Sequence, residues 1–150
     1  MVSAKLGVRQ LYTFTKVWDG MKNKKGLHLM FVDNDSHVRE SLKVFFDNSH
    51  TEVLIFKSAA EGLNSLKYQR VDVVISDYFL QDMDGVEFLK QAALTQPGVI
   101  RVLMSTLSSD DLEKQFLKAG IDRFIEKPLT VASLDVVIKE LGMDNKQSRR

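Results

Sequence analysis

Four short apolar runs, each ending in a polar residue, constrain the fold of this chain more than any other feature. They cover residues 29–32, 73–76, 102–105 and 124–126, and the polar residues that follow or close them include Asp33, Asp77, Thr106 and Lys127. Short apolar runs separated by helical patterns are typical of strands in a parallel sheet. Ligands of such sheets bind beyond the carboxyl ends of the strands. We therefore expect these four side chains to converge on one small site.

The residue types at these strand ends suit phosphate chemistry. The Asp77 carboxylate can attack a phosphorus centre and form an acyl phosphate. Asp33 and Asn34 offer oxygen ligands to Mg²⁺, which keeps several waters and needs only one or two protein carboxylates. The Lys127 ammonium is a point-charge partner for phosphate oxygens, and Thr106 offers a hydroxyl donor. Each residue alone could simply cap a loop or end a strand, but the set in this order predicts a site for a divalent cation and a phosphoryl group.

The composition excludes several other classes of protein. The chain has 150 residues, enough for one domain with a substantial core, and it contains no cysteine, so disulfides and thiolate chemistry are ruled out. No run approaches the ~20 apolar residues of a membrane helix, and the N-terminus lacks the pattern of a signal peptide. A cytoplasmic protein without a membrane partner is the expectation.

The two ends of the chain differ from its centre in charge. Residues 1–26 carry a net charge of +5 and residues 142–150 carry +2, which leaves −6 for residues 27–141. An acidic central part is not typical of a nucleic-acid-binding domain. We interpret 1–26 as an N-terminal extension: a docking or dimer-forming segment, a surface helix, or a stretch upstream of a native start at Met21. Residues 142–150 are interpreted as a flexible tail. A homodimer is left open.

Strand and helix patterns alternate along residues 27–141. Strands are predicted over 28–33, 51–56, 72–76, 100–105 and 122–126. Helices are predicted to begin after caps at Ser36, Ser58, Ser108 or Ser109, and Thr130, and another is predicted to follow the Asp84-Gly85 pair. The fourth helix is predicted to end at Gly120. Five strand–helix units predict a doubly wound α/β domain with helices on both faces of the sheet.

Three segments form a recognisable set: the 73–89 block around Asp77 with its Met83-Asp84-Gly85 element, the 124–128 segment that ends in Lys-Pro, and the acidic position at 32–34. In these segments, and over about residues 27–141, the chain resembles a response-regulator receiver domain of the CheY-like family. The resemblance implies a flavodoxin-like, five-stranded parallel sheet in the order 2-1-3-4-5 with five helices.

The same resemblance implies a function in two-component signalling. Asp77 would accept a phosphoryl group from a histidine kinase or a phosphotransfer protein. Mg²⁺ would be held by Asp33, Asn34, Asp77 and the backbone carbonyl of Phe79. The domain would assist its own phosphorylation without being a turnover enzyme.

The resemblance also implies how the phosphorylated state is read. Thr106 and Lys127 would contact the phosphoryl group, and Phe124 would change rotamer when Thr106 moves toward it. A downstream effector protein would bind the face formed by the fourth helix, the fifth strand and the fifth helix. Direct binding of nucleic acid is not expected, because nothing after Gly142 is long enough to form a helix-turn-helix domain.

Three positions depart from the family's usual pattern. Asn34 stands where a second acid is common, Leu107 where a small residue is common, and Gln81 where proline is common. Asn34 adds no negative charge, so metal affinity is expected to fall. These departures keep open a degenerate receiver that works as an adaptor without phosphorylation.

An enzyme of the haloacid-dehalogenase-like phosphatase type is the less favoured alternative. Asp33 would then be the nucleophile and Asp35 the general acid and base. This alternative leaves Asp77 unexplained, and no acidic metal-binding pair follows Lys127 at a strand end. A phosphoacceptor signalling domain remains the preferred interpretation.

Overall fold

A five-stranded parallel sheet in the order β2-β1-β3-β4-β5 forms the centre of the protein, as expected. The computed structural model describes residues 28–47, 52–107 and 109–128. The strands are β1 (His28–Val32), β2 (Glu52–Phe56), β3 (Val73–Asp77), β4 (Ile100–Ser105) and β5 (Arg123–Glu126). The predicted N-terminal extension (1–26) and C-terminal tail (142–150) lie outside the described residues, so the domain boundaries stay predictions.

Four helices connect or follow these strands in the described part of the chain. They are α1 (Ser36–Phe46), α2 (Ala59–Leu66), α3 (Gly85–Thr95) and α4 (Asp110–Lys118). Ser58, Asp84 and Ser109 cap α2, α3 and α4, and Gly120 follows α4 with a φ of 92°. The fifth predicted helix, after a Thr130 cap, lies outside the described residues.

The predicted cap of α1 at Ser36 is wrong by one residue. Asp35 is the cap: it has extended backbone angles, and its side chain accepts a hydrogen bond from the His37 N–H at 2.8 Å. Ser36 is the first helical residue. A carboxylate accepts this bond more strongly than a hydroxyl and also complements the positive end of the helix, which favours Asp35.

Two apolar layers, one on each face of the sheet, form the core. Along β1, Leu29 and Phe31 pack in the layer that contains Phe46 of α1. Met30 and Val32 pack in the layer that contains Phe88 of α3. Successive strand residues point to opposite faces, so a strand covered on both sides must be apolar throughout. This explains why the apolar runs are continuous rather than alternating.

The register of the sheet brings the carboxyl ends of four strands to one edge. Val32 pairs with Ser76, Asp77 with Met104, and Ser105 with Glu126. The residues that follow β1, β3, β4 and β5 therefore emerge side by side. Among the helices of the described residues, none is both long and apolar enough to cross a membrane.

Candidate phosphoacceptor and metal site

One ammonium group joins two carboxylates at the carboxyl edge of the sheet. Lys127 Nζ lies 3.1 Å from Asp33 Oδ2 and 3.3 Å from Asp77 Oδ2. Asp33 is fully buried, and Asp77 is 8% exposed. The structure therefore brings together the polar ends of β1, β3 and β5, although Asp33 and Lys127 are 94 residues apart in the sequence.

Local hydrogen bonds hold Asp33 in place. Its Oδ1 accepts from the Asp35 N–H at 2.8 Å, and its backbone carbonyl accepts from Arg39 Nη1 at 2.8 Å. Its own N–H donates to the Phe56 carbonyl at 3.1 Å, which extends the β1–β2 pairing by one residue. Asn34, the next residue, is exposed. The carboxylate of Asp33 is thus fixed before any ligand binds.

The charges of the pocket act on one another. Burial raises the pKa of Asp77, and the nearby Asp33 raises it further, while Lys127 and a hydrogen bond from the Phe79 N–H act in the opposite direction. Burial lowers the pKa of Lys127, but Asp33 and Asp77 outweigh this effect, so its pKa lies above its ordinary value. Two carboxylates and one ammonium leave an excess of negative charge.

The oxygen donors of the pocket suit a hard cation such as Mg²⁺. Among the described residues, no three or more histidine, aspartate or glutamate side chains form a group that could hold a metal by themselves. Mg²⁺ needs only one or two carboxylates, with waters and other oxygens completing its shell. Asp33 and Asp77 supply the carboxylates. Burial is the main cause of the raised pKa of Asp77, and the nearby negative charge of Asp33 adds to it, an effect that a cation would relieve.

The loop between β3 and α3 (residues 78–84) forms one wall of the site. The Gly85 N–H donates to the Tyr78 carbonyl at 2.7 Å, and Phe79 and Asp84 form an isolated antiparallel bridge. A Cβ at position 85 would clash with the Asp77 carbonyl oxygen, so glycine is required there. The loop is therefore closed at its two ends.

Two adjacent hydroxyl groups stand at the end of β4. Thr106, the predicted phosphoryl contact, is exposed and follows the strand. Ser105, which closes the strand, is fully buried; its Oγ accepts from the Leu107 N–H at 3.0 Å, and its carbonyl accepts from the Lys127 N–H at 2.8 Å. Ser105 was not among the predicted site residues, because it was assigned to the apolar run 102–105. Its position as the one hydroxyl residue of that run was the available signal.

A chain of aromatic contacts leads from the loop after Asp77 to β5. Tyr78 meets Phe79 edge to face at 4.9 Å between ring centroids and lies 5.7 Å from Phe116 of α4. Phe116 in turn stacks on Phe124 of β5 at 5.6 Å. We call these four rings the aromatic row. One ring, that of Phe116, therefore connects Phe124 to Tyr78, the residue next to Asp77.

Comparison with known proteins identifies the family to which this architecture belongs. The response regulator receiver domain family matches residues 29–139, which is more than half of the chain. The chain therefore belongs to the response regulator receiver domain family. Such domains are the receivers of two-component response regulators, and they are signalling domains rather than ordinary enzymes.

Individual relatives agree with the family assignment. The transcriptional regulatory protein GlrR of Escherichia coli is 30% identical over 105 residues, which cover 70% of this chain and 24% of GlrR. The transcriptional regulatory protein FixJ of Bradyrhizobium diazoefficiens is 28% identical over 112 residues, which cover 75% of this chain and 55% of FixJ. The chain thus spans between a quarter and just over half of the length of these relatives.

Solved structures show the same fold. A CheY-like receiver domain protein from Methanospirillum hungatei is 28% identical, with a TM-score of 0.70, and the match covers 83% of this chain and 98% of that one. An uncharacterized protein from Neptuniibacter caesariensis is 29% identical, with a TM-score of 0.64 and coverage of 79% and 88%.

Proposed function

We propose that Asp77 accepts a phosphoryl group from a histidine kinase or a phosphotransfer protein in the presence of Mg²⁺. The observation that carries this proposal is the Lys127 ammonium, 3.3 Å from the Asp77 carboxylate and 3.1 Å from that of Asp33. This arrangement combines a buried nucleophile, a second carboxylate and a cation at the carboxyl edge of a parallel sheet. The family match favours it over a haloacid-dehalogenase-like phosphatase.

Transfer needs little beyond positioning and charge neutralisation. A carboxylate oxygen of Asp77 forms a bond to the phosphorus of a phosphohistidine, and the P–N bond breaks with its electron pair going to the imidazole nitrogen. Lys127 keeps its proton and pairs with an oxygen of the transferred group. Asp33, Asn34, Asp77 and the Phe79 carbonyl would hold Mg²⁺, which when bound supplies further positive charge at the phosphoryl oxygens.

A hydroxyl at the end of β4 contacts the phosphoryl group in this proposal. Thr106 is the residue predicted from the sequence, and the buried Ser105 is its competitor. We expect the alanine variant of the residue that makes the contact to be phosphorylated about tenfold more slowly, because one hydrogen-bond donor to the developing charge is lost. Stopped-flow phosphorylation of Thr106→Ala and Ser105→Ala, compared with the parent, assigns the role.

The output of the proposed receiver is a protein contact. Phosphorylation would shift Phe124, which closes the aromatic row on β5, and change the surface around α4 and β5 that an effector protein binds. The effector, the kinase and any homodimer are parts of the proposal, as is a cytoplasmic location.

Intact-mass analysis after treatment with acetyl phosphate and Mg²⁺ tests the proposal. We expect one phosphoryl adduct on the parent and on Asp111→Asn, a control that removes an exposed acid from α4. We expect none on Asp77→Ala or in a metal-free reaction. An adduct that persists on Asp77→Ala would contradict the assignment of the acceptor.

A phosphorylation-independent adaptor is the second candidate function. The observation in its favour is that Asn34 supplies no charge to the pocket and that Leu107, 49% exposed, stands beside the hydroxyl position. If neither acetyl phosphate nor a histidine kinase donor labels the parent and Mg²⁺ does not bind, the adaptor replaces the phosphoacceptor as the favoured function.

A further inference from the structure

Asp82 joins the loop after the phosphoacceptor to a helix that is distant in sequence. One of its carboxylate oxygens accepts from the Ala59 N–H at 3.1 Å, and the other accepts from the Ala60 N–H at 2.8 Å. Asp82 itself is exposed and lies in the 78–84 loop. Both carboxylate oxygens of an exposed side chain thus bind the first turn of α2.

The first turn of α2 needs these two bonds. Ser58 accepts hydrogen bonds from two later N–H groups of the helix. Its Oγ accepts from the Glu61 N–H at 3.3 Å, and its carbonyl accepts from the Gly62 N–H at 3.2 Å. The N–H groups of Ala59 and Ala60 have no partner within their own helix, as expected for the first residues of any helix. Asp82, which lies in the 78–84 loop and not in α2, accepts the hydrogen bonds of these two N–H groups.

The charge of Asp82 suits this position. Burial raises its pKa, but the backbone N–H groups of Ala60 and Ala59, with those of Asp82 itself and Met83, lower it and together outweigh burial, so the pKa lies below its ordinary value. The carboxylate is therefore ionised at neutral pH, accepts through both oxygens, and complements the positive end of the helix.

The helix is a rigid anchor for the loop. Ala59 and Leu66 of α2 are buried, and a Cβ at Gly62 would come within 3.0 Å of the Phe88 ring, so α2 lies close against α3. The loop, in contrast, has Gln81 rather than a proline next to Asp82 and gains no rigidity from a fixed φ there. Contact with α2 supplies the restraint at the tip of the loop.

We propose that Asp82 is a positioning residue, which ties the 78–84 loop to α2 and thereby holds the backbone of Phe79 against Asp77. The base of the loop is closed by the Gly85 N–H, which donates to the Tyr78 carbonyl at 2.7 Å. The Phe79 carbonyl is the proposed metal ligand, so the effect on Mg²⁺ rests on the proposed function. The effect on the Gly85 N–H does not rest on it, because that hydrogen bond joins only groups of this chain.

Amide hydrogen exchange without added Mg²⁺ tests the tether itself. We expect Asp82→Ala to speed exchange at the Gly85 N–H about tenfold, because the 78–84 loop opens more often. Asp82→Asn, which keeps one acceptor oxygen, is expected to give a smaller increase. Ser58→Ala is the matched control, because it weakens the same end of α2 without touching the loop, and exchange at Gly85 is expected to stay at the parent rate.

Calorimetric titration with Mg²⁺ alone then tests the consequence. We expect Asp82→Ala to weaken Mg²⁺ binding several-fold and Ser58→Ala to leave it unchanged. Unchanged exchange at Gly85 in Asp82→Ala, or an equal increase in Ser58→Ala, would overturn the tether. If the parent does not bind Mg²⁺, the proposed function fails, while the exchange rates still decide whether Asp82 holds the loop.

Discussion

At the scale of single residues, some neighbours of Asp77 favour the protonated form of its carboxyl group and others favour the ionised form. Burial and Asp33 raise its pKa, and Lys127 with the Phe79 N–H acts against them. The net shift is upward, so the native state holds the proton of Asp77 more tightly than the unfolded chain does. Ionisation of this group therefore costs stability.

This shift predicts a pH-dependent effect of Asp77→Asn on stability. Because the folded pKa is raised, the parent is most stable, with respect to this group, below the ordinary pKa of about 4 and loses stability as pH rises through the folded pKa. Without added Mg²⁺, the variant is expected to be more stable than the parent at pH 7, by on the order of 1 kcal/mol. Urea unfolding at pH 3 and pH 7 measures the difference.

The expected gain in stability of Asp77→Asn over the parent disappears at pH 3, because Asp77 of the parent is then protonated and as neutral as the asparagine. Asp111→Asn, on the exposed surface of α4, serves as the control for a general loss of negative charge. An equal stabilisation by Asp77→Asn at both pH values would show that ionisation of the buried carboxylate is not its cause.

Phe79 is expected to protect the acyl phosphate from water. Its ring is apolar and 54% exposed beside Asp77, where a smaller polar side chain would admit solvent. Phe79→Asn is therefore expected to shorten the lifetime of the phosphorylated protein several-fold, as measured by loss of the phosphoryl adduct over time. Tyr68→Asn, at an aromatic residue that is 81% exposed and follows α2, is the matched control. An unchanged lifetime in Phe79→Asn would contradict the shielding role.

Individual site residues differ in how far the sequence predicts them. Asp33, Asp77 and Lys127 each follow or close an apolar run, so strand ends alone indicate that they meet. Ser105 belongs to such a run, and local pattern does not separate a buried functional hydroxyl from a buried structural one. Asp82 bonds to residues 22 and 23 positions away, and no periodicity in the sequence reports that contact.

At the scale of elements, the predicted strands lie within one residue of the observed ones in the described part of the chain. Continuous apolar runs have clear limits, because the polar residue at each end marks where burial stops. Helix caps are less certain, since Asp35 and Ser36 both satisfy the pattern and the bond from His37 decides between them. Such a choice depends on the direction from which the chain enters the helix.

The side chain of Gln96 links the loop after α3 to the loop after α2, at the edge of the sheet opposite the candidate site. Gln96, which follows α3, donates to the carbonyls of Leu66 at 2.9 Å and Gln69 at 2.6 Å, and it accepts from the Val71 N–H at 2.9 Å. The segment between α2 and β3 is thereby held to the end of α3.

Loss of this link is expected to destabilise the protein. Gln96→Ala removes three hydrogen bonds to backbone groups, of which some regain water, so we expect a loss of about 2 kcal/mol in the free energy of unfolding. Urea denaturation measures it. Gln91→Ala is the control, because the Gln91 side-chain amide donates to the exposed Glu87 carboxylate on the surface of the same helix. For this variant we expect a change within about 0.5 kcal/mol in the free energy of unfolding. Equal losses in the two variants would show that the link contributes nothing of its own.

At the scale of the whole molecule, parallel topology assembles the site. Ends of β1, β3 and β5 that are far apart in sequence become neighbours only because every strand points the same way. The sequence predicts this convergence through alternation of strands and helices. It does not predict the loop geometry around the site, because that geometry depends on long-range contacts such as the one made by Asp82.

Removal of the Lys127 charge is expected to affect global stability and metal binding in opposite directions. Lys127→Met keeps the length of the side chain but leaves two buried carboxylates unpaired, so we expect a loss of about 3 kcal/mol in unfolding without Mg²⁺. Mg²⁺ is expected to bind more tightly to the variant, because it no longer competes with an ammonium for the same oxygens. Urea unfolding with and without Mg²⁺ measures both effects.

The control for this change is Lys90→Met on the exposed surface of α3, for which neither effect is expected. A loss of stability in Lys127→Met that saturating Mg²⁺ does not reduce would contradict a shared role for the two cations.

The bridge from Lys127 also has a consequence for ion selectivity. Its ammonium is attached to the chain, so the fold sets a high effective concentration of one positive charge at the two carboxylates. A sodium or potassium ion that displaces it exchanges one unit charge for another and gives up water ligands without any gain in charge. A divalent cation brings twice the charge to the two carboxylates, which can offset its larger loss of hydration. We therefore expect the tethered lysine to disfavour monovalent ions relative to the Mg²⁺ of the proposed function.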